Sequence, residues 1–117
     1  NPAASAMVKI GEANGFAGGD AFVGESYDAA ALMLLAMASA KSSDPQVYKD
    51  HVMKVANGTG EKIYPGELAK GIKLASYGVA IDYVGASSVN LIGPGEAAGN
   101  FREIEIQNGK MVDVNYR

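Results

Sequence analysis

Residues Ala29 to Ala40 read AAALMLLAMASA, and only Ser39 among them is polar. A helix built from this run has no polar face to turn to water, so neighbours must cover it on several sides. It is too short to span a bilayer, which takes about 20 apolar residues. It also lies well inside the chain and follows no basic region, so it is not a secretory signal. The helix is expected from about Ser26 to Lys41. Ser26 or Asp28 would cap its first amides, and Lys41 would complement the negative end of its dipole. Ser42-Ser43 ends it.

The rest of the chain has to supply the cover. Asn1-Pro2 starts a helix as N-cap and first-turn proline, with Ala3, Ala4, Met7, Val8 and Gly11 along one face, and Asn14-Gly15 ends it. FAGGD (residues 16–20) is expected as loop, and Ala21-Phe22-Val23 is too brief to assign. Asp44-Pro45 opens another helix with an inward stripe of Tyr48, Val52, Val55 and Ala56, stopped by Asn57-Gly58. A polar loop is expected from Thr59 to Tyr64. After Pro65-Gly66, Leu68, Ile72 and Ala75 recur at helical spacing up to Gly78.

Beyond Gly78 the pattern changes to strands. Val79 to Val84 is strand-like, Gly85 to Ser88 a break, Val89 to Ile92 a short strand, and GPGEAAGN a loop. FREIEIQNGKMVDVNYR reads as a hairpin about Asn108-Gly109. A two-residue loop would set Ile104 opposite Asp113 and Ile106 opposite Met111. A three-residue loop with a glycine bulge sets Ile104 opposite Val112 and Arg102 opposite Val114. The bulge form groups the apolar side chains, so it is the expected register.

The chain has 117 residues, 48% hydrophobic and 20% charged, enough for about one folded domain. A net charge of −3 gives no support to nucleic-acid binding, and the absence of cysteine excludes disulfides and thiolate metal sites. His51, the one histidine, sits beside Asp50 and Lys54 and reads as a solvated surface residue, so neither a zinc site nor a Ser-His-acid set can be assembled. NGTGEK (residues 57–62) echoes a phosphate loop but lacks its Gly-Lys-Ser/Thr ending. GFAGGD lacks both the preceding strand and the spacing of a dinucleotide fingerprint. Glu103 and Glu105, near Arg102 and Lys110, read as a solvated strand edge. These observations predict a protein that is not an enzyme and that uses no cofactor or metal.

The order of signals carries a resemblance. NPAASAMV and a glycine-rich turn precede ESYDAAALMLLAMASA; SSDPQVYKDHVMKVAN, GELAKGIKLASYGVAIDYVGASS and an Asn-Gly hairpin follow. This resembles the C-terminal part of the periplasmic solute-binding proteins of branched-chain amino-acid ABC importers, over essentially all 117 residues. The resemblance implies an α/β fold, as the C-terminal fragment of a two-lobed clamshell with helices first and a β-hairpin last. Residues 1–82 would complete the N-terminal lobe, 83–88 would cross the hinge, and 89–117 would add strands to the C-terminal lobe.

It further implies that the N-terminus of the long helix points at the interlobe cleft. The ligand-binding residues are then Phe22, Glu25, Ser26 and Tyr27. The helix amides would attract a carboxylate, Glu25 would meet an ammonium group, and Phe22 or Tyr27 an apolar side chain. The implied partners are an amino acid or related organic acid and a membrane permease, in a bacterial periplasm. A piece on its own is expected to bind weakly and to self-associate through uncovered apolar faces. The alternative is an autonomous α+β interaction module, or a sensory ligand-binding module, with no transport role.

Overall fold

The computed structural model describes residues 2–20, 22–87, 91–93, 96–97 and 102–116. Its elements mix helix with small sheets, an α/β composition at the coarse level. The first helix, α1, spans Pro2–Asn14. Ala3, Met7 and Gly11 are its buried side, Ala4 is half-buried, and Val8 faces outward. The following loop folds back on it: the Phe16 amide donates to the Gly11 carbonyl at 2.9 Å.

The apolar run forms α2, Val23–Ala40. Alanine, leucine and methionine are strong helix formers, so the interior needs no special device. The ends do not follow the expected caps. The helix starts one turn early, with Phe22 as N-cap, and no side chain caps it. Ser26 and Asp28 lie inside the helix, where they are too far along to reach its first amides. Lys41 ends the helix through its backbone, in the left-handed conformation at φ 56°. Its amide donates to the Ala38 carbonyl and that of Ser42 to Met37, which closes a Schellman motif.

One side of α2 makes the core. Ala31, Leu32, Leu35 and Ala36 are buried against α4 (Val52–Ala56), β1 (Glu61–Ile63), α5 (Leu68–Ser76) and β2 (Ile81–Tyr83). Val55, Ala56, Ile63, Ala75, Ile81 and Tyr83 complete the cluster. The opposite side, with Ala29, Ala30, Met33 and Leu34, is exposed.

The segment after Asp44 divides into α3 (Pro45–Tyr48), a 3-10 turn (Lys49–His51) and α4, where one continuous helix was expected. Asp44 caps α3 as anticipated, accepting from the Gln46 amide at 2.9 Å. The division falls at His51, which is half-buried with its Nδ1 at 2.9 Å from Ser39 Oγ of α2. His51 is therefore an interhelical contact and not a solvated surface residue.

Residues 61–63, expected within a polar loop, are strand β1, parallel to β2 with Glu61 opposite Ile81 and Ile63 opposite Tyr83. Glu61 and Lys62 face outward, so only Ile63 carried an apolar signal. Pairing with β2, not local propensity, makes this strand. Lys70 Nζ of α5 reaches Glu61 Oε1 at 2.9 Å.

Further on, β3 (Leu91–Gly93) pairs antiparallel with β4 (Glu96–Ala97). The stretch expected as a loop therefore holds strand residues at Gly93, Glu96 and Ala97. Pro94, Gly95 and residues 98–100 lie outside the described residues, as do Ser88, Val89 and Asn90.

The hairpin joins β5 (Arg102–Gln107) to β6 (Lys110–Tyr116). Its register is the one not expected: Ile104 lies opposite Asp113 and Ile106 opposite Met111, with the irregularity displaced to Glu103/Ile104. Asn108 and Gly109 both take positive φ, 53° and 75°, as a two-residue type I′ turn requires. Apolar grouping did not decide the register. Ile106 is exposed, and an uncovered face exerts little pull on strand pairing.

Candidate functional site

Three of the four residues singled out from sequence lie together. Phe22, Glu25 and Ser26 are exposed on the solvent side of the first turn of α2. Phe22 is 76% exposed and sits in the left-handed region at φ 64°, ψ 3°. A bulky L-residue gives up about 1–2 kcal/mol to stand there. Such strain persists where the surrounding structure enforces it, and it clusters at functional positions. The loop before it supplies the enforcement: the Val23 amide donates to the Asp20 carbonyl, the Asp20 amide to Ala17, and the Ser26 amide to Phe22.

Chemically, this rim offers the uncapped amide end of a long helix, an aromatic ring in water, a carboxylate and a hydroxyl. Amide groups at a helix start favour an anion. Glu25 adds a negative group that favours a cation beside it. The combination suits a small zwitterion.

Tyr27 stands apart. It is half-buried, and its hydroxyl accepts from the Gly66 amide at 3.1 Å, tying α2 to the turn before α5.

Sequence reasoning assigned no site role to the most heavily bonded polar group. Asp28, 2% exposed, is the one buried charged residue described. Its Oδ1 accepts from Tyr83 Oη at 2.7 Å and from the Ala86 amide at 2.9 Å. Its Oδ2 accepts from the Ser87 amide at 2.8 Å and from Ser87 Oγ at 2.5 Å. Gly85, at φ 70°, passes so close that a Cβ on it would lie 2.8 Å from Asp28 Oδ2. A signal was available: an acid inside an apolar helix must find donors when buried. The identity of those donors, more than fifty positions downstream, was not legible.

Burial, then the Asp28 hydrogen bond and charge, push the Tyr83 hydroxyl well above the ordinary tyrosine range. The phenol therefore stays a donor. Above about pH 10 the unfolded chain releases this proton and the folded chain keeps it. The stability contribution is thus complete below about pH 10 and falls as pH rises beyond it. Urea midpoints measured across alkaline pH are expected to fall, and Tyr83→Phe is expected to flatten that decline. An equal decline in the variant would refute the assignment to Tyr83.

Comparison with protein-family models, with curated proteins and with solved structures finds no match. Among the described residues no helix is long and apolar enough to cross a membrane, and no three His, Asp or Glu side chains gather as metal ligands.

Proposed function

We propose that this chain is the C-terminal part of a solute-binding protein of an ABC importer, taking an amino acid or a related small organic acid. The observation that carries the reading is Phe22: an aromatic ring held in water, in a strained backbone, at the amide-bearing end of α2 and beside Glu25 and Ser26. The motif order that resembles the branched-chain amino-acid-binding family supports it, as does the open apolar side of α2 at Ala29, Ala30, Met33 and Leu34. In a lobe of that kind a sheet would cover such a face.

In this reading the solute carboxylate lies at the α2 amides, its ammonium group meets Glu25, and Phe22 covers its side chain. Residues 83–88 form the hinge crossing and 89–117 belong to the second lobe. Closure of the lobes traps the solute by a hinge motion. The closed form then docks on the permease in the periplasm.

The test is a titration of amino acids and small carboxylates into the protein, followed by amide NMR. With half of a site, binding is expected at about millimolar concentration, and the amides of residues 22–27 should move while the turn at 108–109 does not. Phe22→Ala should abolish the shifts. If no solute moves those amides, the reading fails, and the core built by α2, α4, α5, β1 and β2 alone would favour an autonomous interaction module. Tight one-to-one binding by these 117 residues would overturn the two-lobed form.

A further inference from the structure

Val84 is the last residue that the β1–β2 sheet holds: its amide donates to the Ile63 carbonyl at 2.9 Å. Among the described residues, the hydrogen bonds of Ala86 and Ser87 then end on one side chain. Both amides and the Ser87 hydroxyl donate to the Asp28 carboxylate. Ala86 lies over Gly24, where an added Cβ would come within 3.1 Å of the Ala86 methyl. Gly85 makes the approach possible, since any side chain there would meet the carboxylate.

We propose that Gly85–Ser87 is a latch, which opens from α2 by releasing Asp28 while the α2, α4, α5, β1 and β2 core, with Val84 on its edge, stays folded. Local opening follows the contacts that must be broken. Opening the latch breaks three hydrogen bonds, which water replaces, and uncovers Gly85, Ala86, Ser87 and the Asp28 carboxylate, which water can solvate. Opening the core uncovers Leu35, Ile63, Ala75 and Ile81, all buried. Tyr83 is what makes the latch reversible. It is 1% exposed within β2 and keeps its hydroxyl on Asp28 Oδ1, so the carboxylate retains a partner when the turn leaves. The latch sets where the chain departs from the helical body toward β3 to β6. It does not depend on what the Phe22 rim binds.

Residue-resolved amide hydrogen exchange tests it. In the unaltered protein, residues 86 and 87 should be protected, yet exchange faster than Leu35 and Ile63. Ser87→Ala keeps Asp28 and Tyr83 and removes one bond. It is expected to speed exchange at residues 86 and 87 about five- to tenfold, leaving Leu35 and Ile63 unchanged. Asp28→Asn, if it folds, should speed the same two amides by more. Two results would overturn the proposal. In one, residues 86 and 87 exchange together with the core and Ser87→Ala shifts all of them alike. In the other, they show no protection in the unaltered protein.

Discussion

Asp28→Asn is expected to destabilise the fold by about 3 kcal/mol or more, although it changes almost no volume. Four donors converge on two carboxylate oxygens, and an ionised carboxylate has only acceptor sites. An amide offers one oxygen and one NH₂. Whichever way it turns, the NH₂ faces either the Tyr83–Ala86 pair or the Ser87 pair. The hydroxyls can rotate to accept from it, but a backbone N–H cannot. One half-buried amide, of residue 86 or 87, is then left facing a donor, at about 1–3 kcal/mol, and the charge-assisted bonds are lost as well. Urea unfolding followed by circular dichroism measures this. Glu25→Gln, exposed on the next turn back, is the control and is expected to stay within about 0.5 kcal/mol. Asp28→Asn matching that control would show that the carboxylate does not hold the 83–87 segment as described.

Gly60→Ala has a comparable expected effect through a different cause. A Cβ at Gly60 would fall 2.0 Å from the Ala80 carbonyl oxygen and 2.2 Å from its carbon, and one at Gly58 would fall 1.9 Å from the Ile81 oxygen. The obstacle is backbone of the neighbouring strand, so no rotamer change relieves it. The methyl group must push β1 away from β2, breaking the bond from the Glu61 amide to the Ala80 carbonyl. Overpacking of this kind costs about 3 kcal/mol. Gly19→Ala, where a Cβ meets nothing within 4 Å, is the matched control. Thermal unfolding of the two variants side by side decides the matter, and equal melting temperatures would mean that β1 does not lie against β2. The same distances account for NGTGEK. Its glycines answer to the closeness of residues 80 and 81, not to a phosphate.

Where a signal was local, the sequence carried it. Alanine and leucine propensity placed α2, Asp44-Pro45 started α3, and the Leu68, Ile72 and Ala75 spacing placed α5. Asn108-Gly109 located the hairpin turn but not its register, and the apolar side chains described as exposed there, Ile106 and Val114, exert little pull toward apolar grouping. Phe22, Glu25 and Ser26 do share the open side of α2, but Tyr27 turns to Gly66. The left-handed backbone at Phe22 had no sequence mark, since that conformation normally selects glycine, asparagine or aspartate.

By itself the chain determined where its main helices and the hairpin turn lie, though not the caps of α2 or the break at Lys49–His51, because propensity and turn residues act within a few neighbouring positions. The tertiary structure alone decided that Glu61–Ile63 is a strand, that Asp28 faces Tyr83 and Ser87 instead of capping a helix, and that one side of α2 stays open. Each of these depends on which distant segment arrives with donors, with a strand edge or with nothing. That is a property of the assembled packing and is not written at any single position.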